Sequence, residues 1–430
     1  MFAYDQIHIR RTAACRGPLE RQSHGRSAKN HYLGAAKATI TMMNRNLLRA
    51  AAAMAVTLFT FLALPAAASE PVPPAQLPRL IDSGTFPTGH IQGIAVDTEH
   101  RYIYYSYTTM LVKADMQGRV VGTVTGLVGH LGSLTFNAED GRVYGSLEYK
   151  NDAIGRGILA ASGHDGEIND GFYIAIFDVD RITRTDMSAE RDGVMTAVFI
   201  GDILRDYTAT VRTEQGERQH RFGCSGFDGI TFGPRFGRTG GRRYLTLSYG
   251  IYDDTTRTDN DYQVLLQYDT RRWRRYEAPL SQSAMHRNGP EHPDGRYFVF
   301  TGNTAYGVQN LCYDDATKRW YMAVYYGQKP QYPNYTLFAV DAASRPVKSA
   351  LRGVPYVGRE NVLPLSEAGV EDKATGIRGW HFPYGSTGLC ALGDGYFYIS
   401  HHYVENKRQG SRIRLYRWTG SAEHPFEQVR

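Results

Sequence analysis

Histidine, carboxylate and amide side chains recur at corresponding places in a six-residue pattern that the sequence repeats five times. The copies begin at Gly89, Gly129, Ser225, Tyr306 and Tyr384, and each ends in a small residue followed by Ile or Leu. Six polar side chains occupy the variable positions: His90, Gln92, His130, Asp228, Gln309 and Thr387. Such groups bind divalent cations and transfer protons, so the set predicts a reactive or ligand-binding site if the fold brings the copies together.

A second polar and aromatic set ends the strand-like segment that follows each copy. At one equivalent position three segments have Tyr, one has His and one has Glu148. A carboxylate where other copies hold Tyr needs a partner once it is buried. These strand ends and the loops after them contain Tyr107, Glu148, Tyr149, Lys150, Tyr249, Arg257, Tyr325, Tyr326, His401, His402 and Tyr403.

The elements that must position these residues are strands of a β-propeller. Each copy opens one Tyr-, Val- and Ile-rich segment, and two clear segments and a weaker one follow it, which is typical of repeated four-stranded units. We therefore expect an all-β fold, a single propeller of five four-stranded blades. Long insertions at 149–171, 204–222, 280–305 and 350–383 leave six or seven blades as alternatives. A strand at 77–86 could pair with the last blade and close the ring.

Helical signals are rare in this pattern. The segments 186–194 and 202–207 are the two candidates for short helices.

Blade geometry predicts one shared face for the chemistry. First strands line the central channel, and the second strand of each blade is its antiparallel neighbour. The start of every first strand and the end of every second strand therefore lie at the same mouth. Residues expected to be catalytic are His90, His130, Glu148, Tyr149, Lys150 and Arg257. Residues expected to bind substrate are Gln92, Tyr107, Asp228, Tyr249, Gln309, Tyr325, Tyr326, His401, His402 and Tyr403.

Three reactions or roles fit such a mouth. The first is β-elimination on a uronic acid polymer, in which a cation or metal neutralises the carboxylate and a His, Tyr or Lys takes the α-proton. The second is hydrolysis, either by the carboxylates Glu148 and Asp228 or, in a lactonase-type enzyme, with a divalent metal at the channel mouth. The third is binding of a glycan or protein without catalysis. The lyase is the favoured enzyme class, and its substrate is a carbohydrate or small molecule.

The first residues read as a leader preceding the propeller domain, which we place at 69–430. Residues 1–41 are Arg-rich and without pattern, and we interpret them as mis-assigned upstream sequence. Residues 42–68 combine a basic start, an apolar run and an Ala-rich end, as in a secretory signal peptide, and the run is too short for a permanent membrane span. This predicts a secreted or periplasmic protein.

The charge of the chain changes when this leader is removed. Nine of the 49 Lys and Arg residues and two of the 43 acidic residues lie in 1–68, so 40 basic and 41 acidic residues remain. A nearly neutral domain gives no reason to expect nucleic acid as a partner.

The five repeats and the leader resemble secreted bacterial β-propellers. The His- and Tyr-rich mouth is similar to that of propeller-fold polysaccharide lyases, including oligogalacturonate lyases, which use His and Gln around a metal. The resemblance implies a carbohydrate-active lyase. The residues of the mouth themselves allow His90, His130, His401 or His402 and Gln309 as ligands of one divalent ion.

Overall fold

The computed structural model describes residues 71–164, 167–302 and 305–430. The predicted signal peptide at 42–68 and the upstream segment 1–41 lie outside the described residues. A single 3₁₀ turn at Pro74–Gln76 precedes the first strand.

The chain forms a single all-β propeller of five blades. The opening strand β1 (Leu80–Phe86) belongs to the last blade. The first blade contains β2 (Ile91–Val96), β3 (Tyr102–Tyr107), β4 (Met110–Asp115) and β5 (Val120–Thr125). The second blade contains β6 (His130–Asn137), β7 (Arg142–Tyr149), β8 (Gly171–Phe177) and, after the short β9 (Met187–Ser188) that pairs with β5, β10 (Met195–Phe199).

The third and fourth blades differ in size. A hairpin of β11 (Thr210–Thr213) and β12 (Gly216–Gln219) precedes the third blade, which contains β13 (Cys224–Pro234), β14 (Arg243–Ile251), β15 (Tyr262–Tyr268) and β16 (Gly295–Phe300). The fourth blade contains β17 (Val308–Asp314), β18 (Arg319–Val324) and β19 (Leu337–Asp341). The next strands, β20 (Val347–Ala350) and β21 (Arg359–Leu363), extend the third blade, because β21 pairs in parallel with β16.

The fifth blade closes the ring. After the hairpin of β22 (Val370–Glu371) and β23 (Arg378–Gly379), it contains β24 (Leu389–Gly393), β25 (Tyr396–Glu405), β26 (Arg408–Trp418) and β27 (Phe426–Gln428). The opening strand β1 pairs antiparallel with β26, from Leu80 opposite Arg414 to Phe86 opposite Gln409. The closing strand predicted at 77–86 therefore exists, and it leaves no free edge between the ends of the ring.

Within the described ranges, two α-helices lie in the segments between strands. Helix α1 (Ala153–Ala161) follows β7, and the side chain of Asp152 caps its first turn. Helix α2 (Gly201–Tyr207) matches the helix predicted at 202–207. The helix predicted at 186–194 is wrong: this segment contains β9 and a turn in which Asp192 accepts a hydrogen bond from the Ser188 amide. None of the helices in the described residues has the length and apolar character that a membrane crossing needs.

The core lies between adjacent blades, in five apolar clusters, one for each pair of neighbours. Strand β8 is buried along its whole length because a blade packs on each of its faces. This explains why its sequence, GFYIAIF, is a continuous apolar run rather than an alternating one.

The five first strands β2, β6, β13, β17 and β24 contact one another in a ring around the axis. Asn310 of β17 crosses this axis. Its amide donates to the carbonyl groups of Gln92 (2.8 Å) and Ser386 (3.0 Å) and accepts from the Ser133 hydroxyl (3.3 Å), so one side chain joins four blades.

Candidate functional site

The candidate site consists of His130, Glu148, Lys150 and Asp228, at the mouth where the first strands begin. His130 opens β6 and stands directly opposite Glu148 of β7 in the antiparallel register. Lys150 follows β7 by one residue, and Asp228 comes from β13 in the next blade. Antiparallel pairing within the second blade and contact between neighbouring first strands therefore assemble the group.

Three of these residues converge closely enough to share an ion. The Nδ1 atom of His130 lies 3.5 Å from Oδ1 of Asp228 and 3.8 Å from Oε2 of Glu148. Potential ligand atoms of the three residues lie within 4.8 Å of one another. The side chains of His130 and Asp228 are 16% and 14% exposed, and that of Glu148 is 2% exposed, so the group opens to solvent on the His130 and Asp228 side.

Glu148 is fixed by two donors. Lys150 Nζ lies 2.9 Å from Oε2 and also donates to the Ser225 carbonyl, and the Phe227 amide donates to Oε1. Burial alone would raise the pKa of Glu148, but the charge of Lys150 and the contact with His130 outweigh it and lower this pKa. Burial alone would lower the pKa of Lys150, but Glu148 outweighs it and raises this pKa. The two side chains form a permanent ion pair at neutral pH.

The third copy of the repeat has Gly226 where the first two copies have histidine. A Cβ atom at Gly226 would lie 1.9 Å from Oε1 of Glu148, and the backbone there has φ +118°, which L side chains rarely adopt. Only glycine leaves room for the Glu148 carboxylate at this position.

Asp228 has one satisfied and one unsatisfied oxygen. Gln309 of the fourth blade donates to Oδ2 (3.1 Å), whereas Oδ1 is buried with no hydrogen-bond partner in the described residues. The surroundings are tight, since a Cβ atom at Gly132 would approach Oδ1 to 2.9 Å. Burial, followed by repulsion from Glu148, raises the pKa of Asp228 to about 6. A proton or a cation at Oδ1 would relieve this cost.

A pair of imidazoles lies beside this group. The rings of His90 and His402 meet edge to face with centroids 5.8 Å apart. Burial, followed by the charges of His130 and His402, lowers the pKa of His90 to about 4. His90 is therefore neutral at pH 7 and can accept a proton.

Several predicted site residues have structural partners instead. The hydroxyl of Tyr107 bonds Ser83, that of Tyr149 bonds Gln282 and that of Tyr249 bonds Asp206, and all three rings are buried. Tyr403 donates to Asp82. Gln92 is buried and donates to Thr108 (3.4 Å). These contacts describe packing at the strand ends.

Arg257 is held by residues outside the group. Its guanidinium forms two bonds of 2.8 Å with Asp259 and donates to the carbonyl groups of Gln219 and His220. All five donors of an arginine lie in one plane, and this arrangement occupies most of them. The expected role of Arg257 in catalysis therefore has no geometric support.

On the other side of the mouth, aromatic residues replace the charged ones. His401 stacks between Tyr384 (centroids 3.7 Å apart) and Tyr416, and burial lowers its pKa to about 4, with Arg414 adding to the shift. Tyr325 contacts Tyr306, and Tyr326 is 64% exposed. Sequence reasoning had not assigned roles to Tyr306 and Tyr384, although both are the opening residues of their repeats.

No model of a known protein family matches the sequence, and no curated protein matches it. Among solved structures it is similar to a Bacteroides caccae protein of unknown function (10% identity, 64% of this chain and 86% of the other, TM-score 0.27). It is also similar to the hydrazine synthase of Kuenenia stuttgartiensis (10% identity, 80% of this chain and 67% of the other, TM-score 0.29). A third similar structure is a β-propeller domain from Myceliophteria thermophila (10% identity, 76% of this chain and 84% of the other, TM-score 0.28). Likenesses of this extent carry no information about the chemistry of the mouth.

Proposed function

We propose that the protein is a secreted, divalent-cation-dependent hydrolase that acts at the mouth of the propeller on a small ester or lactone, including one carried on a carbohydrate. The observation that carries the proposal is the convergence of His130, Glu148 and Asp228, with Oδ1 of Asp228 buried and without a hydrogen-bond donor among the residues that the structure describes. The leader-like sequence at 42–68 supports export.

The donor set fits a divalent cation. One imidazole nitrogen and two carboxylates suit Zn²⁺ or Mn²⁺ better than a hard cation that prefers oxygen alone. Lys150 leaves the group with a net charge of −1 when both carboxylates are ionised and His130 is neutral, so a divalent ion is attracted. Lys150 and the Phe227 amide would orient Glu148 as outer partners of a ligand.

The bound cation would supply Lewis-acid polarisation of a carbonyl oxygen and activation of water. The chain's own residues would then bind and orient the substrate. Asp228 would hold the cation, which would take the place of the proton favoured by its raised pKa of about 6 in the cation-free protein. Gln309 fixes the orientation of Asp228 through Oδ2.

A β-elimination lyase is the second candidate, because His90 is neutral and lies in this mouth. It could take an α-proton while the cation neutralises a uronate carboxylate. Two other bases or cations expected for this reaction, Tyr149 and Arg257, have their polar groups bound by Gln282 and Asp259. For this reason hydrolysis is the better-supported reaction.

The test combines metal analysis with two substrate panels. We expect the purified protein to bind one Zn²⁺ or Mn²⁺ ion by calorimetry and to hydrolyse a lactone or ester only when the ion is present. His130→Ala should reduce kcat/KM by at least roughly 10²-fold, because it removes a ligand. His292→Ala is the matched control, since His292 is 68% exposed and remote from the group.

Failure to bind either ion, or hydrolysis that persists after chelation, would contradict the proposal. Formation of an ultraviolet-absorbing unsaturated uronate from polygalacturonate would identify the lyase instead. That activity should depend on His90.

A further inference from the structure

The mouth carries a group of exposed aromatic side chains opposite the charged ones. Among the described residues, Tyr306 (46%), Tyr326 (64%) and Tyr384 (38%) are the exposed large aromatic side chains. All three belong to the fourth and fifth blades, at the ends of strands that face the same mouth as His130. We call this group the tyrosine rim.

The opening position of the repeat divides the mouth in two. It is Gly89, Gly129 or Ser225 in the first three blades, and Tyr in the last two. A Cβ atom at Gly129 would lie 2.5 Å from the Glu148 carbonyl, so an aromatic residue cannot be placed beside the charged group. At this one position of the repeat, the blades that form the charged side of the mouth have a small residue and the blades that form the aromatic side have a tyrosine. Gln309 of the fourth blade links the two sides by its hydrogen bond to Asp228.

Neighbouring aromatic rings pack against the tyrosine rim. Tyr384 stacks on His401, whose Nε2 lies 2.9 Å from the Tyr416 hydroxyl, and Tyr306 meets Tyr325 at 5.8 Å. Tyr326 lies 6.1 Å from the His381 ring, which packs on Tyr335. Rings that are already ordered lose little conformational freedom when a flat ligand binds them.

Tyr306 also has a backbone conformation that a bulky side chain rarely adopts. Its φ is +61°, in the left-handed region where Gly or Asn is favoured. Retaining a ring at a strained position, with the ring exposed, indicates a role for the ring in binding. The three tyrosine hydroxyls form no hydrogen bonds within the described part of the chain, so they are available to a ligand, and Tyr384 offers the ring face turned away from His401.

We propose that the tyrosine rim binds sugar rings of an oligosaccharide whose reacting unit reaches the His130, Glu148 and Asp228 group. This inference rests on the proposed function in one respect, since the sugar is the substrate of that same site. A sugar ring has an apolar face that can stack on a tyrosine ring and hydroxyls that can form hydrogen bonds with the tyrosine hydroxyls. The separate tyrosines of the rim provide both kinds of contact. A protein or lipid surface would require a larger continuous apolar patch.

The experiment measures binding of defined oligosaccharides to protein from which metal has been removed, so that turnover does not interfere. The probes are cellohexaose, maltohexaose, xylohexaose, mannohexaose and hexagalacturonate, tested by calorimetry and saturation-transfer NMR. We expect at least one to bind, and Tyr326→Ala and Tyr384→Ala each to raise its Kd about ten-fold, the upper range for loss of one aromatic contact.

Matched variants separate stacking from stability. Tyr326→Phe keeps the ring and should bind like the native protein, and Val347→Ala changes a side chain that is 63% exposed on β20. Tyr326 is exposed, so its replacement should leave Tm unchanged. The proposal is overturned if none of the five probes binds, or if both alanine variants bind as tightly as the native protein.

The two proposals fail separately. His130→Ala should abolish cation binding and retain oligosaccharide binding. If cation-dependent hydrolysis is present and the alanine variants of the tyrosine rim bind normally, only the oligosaccharide proposal is wrong. If the tyrosines bind sugar and no cation binds, only the hydrolase proposal is wrong.

Discussion

At the scale of single residues, the site combines one satisfied and one unsatisfied carboxylate. Glu148 accepts hydrogen bonds from Lys150 and a backbone amide, whereas one buried oxygen of Asp228 has no hydrogen-bond donor in the described part of the chain. Natural proteins tolerate such a destabilising group chiefly where it serves a function. Asp228 is therefore the residue whose replacement should affect stability and activity in opposite directions.

Asp228→Asn should stabilise the cation-free protein at neutral pH. The pKa of Asp228 is about 6 in the folded protein and 3.8 in the unfolded reference, so the folded state binds the proton more tightly. Stability is therefore lost as pH rises through this window and remains lower above it. We expect Tm of the variant to exceed that of the native protein by a few degrees at pH 7.5 and the difference to vanish near pH 4.

Thermal unfolding followed at a series of pH values checks this expectation. Glu423→Gln, which changes an exposed carboxylate, should shift Tm equally little at every pH. A Tm difference for Asp228→Asn that is constant with pH would show that Asp228 titrates normally.

The sequence predicted part of this site. That His130 and Glu148 share one mouth followed from strand pairing, Asp228 and Gln309 followed from alignment of the repeats, and Lys150 followed from its place in the loop after the second strand. Tyr149, Tyr249 and Arg257 were less predictable, because a strand-end position does not show which way a side chain turns. Each of these meets a partner, Gln282, Asp206 or Asp259, that lies outside the repeated pattern.

At the scale of elements, the positions of the blades could be predicted from the repeats, whereas the structures of the insertions could not. Five first strands and a closing strand could be predicted from the repeats and the composition. Helix α1 was missed because nine residues with two glycines carry little helical signal, and its start depends on the Asp152 cap. The fourth blade has three strands because β20 and β21 join the third blade instead.

The closing strand should contribute substantially to stability through its inward face. Ile81 of β1 is 1% exposed between the first and fifth blades, while the adjacent Leu80 is 53% exposed. We expect Ile81→Ala to lower the free energy of unfolding by about 2–4 kcal/mol, as for other buried aliphatic side chains. Leu80→Ala should change it by less than about 0.5 kcal/mol.

Chemical denaturation of the two variants makes this comparison within one strand. Equal losses would indicate that β1 is not held against the core as described. A loss confined to Ile81→Ala would agree with a closed ring.

At the scale of the whole molecule, five blades share one axis, and Asn310 occupies it. The equivalent residues in the other blades are the glycines Gly93, Gly229 and Gly388, and Ser133. A hydrogen-bonded amide therefore lies across the axis and joins four of the blades.

Asn310→Ala should destabilise the propeller while leaving the residues of the charged group unchanged. It leaves the carbonyls of Gln92 and Ser386 without their donor, and each lost buried bond costs about 1–3 kcal/mol. Asn361→Ala is the matched control, because Asn361 donates one bond to the Arg296 carbonyl at the edge of the third blade. We expect a clearly larger fall in Tm for Asn310→Ala, and equal falls would contradict a special role at the axis.

The pairing of β1 with β26 also sets an order for biosynthesis. Leu80 leaves the ribosome before the first four blades do, but Arg414, which stands opposite it, leaves only after them. Four blades can assemble while the chain is being made, whereas the apolar side of the first blade stays uncovered until the fifth blade arrives. Contacts over such sequence distances form slowly, so the nascent ring is the state that chaperones and proteases would meet.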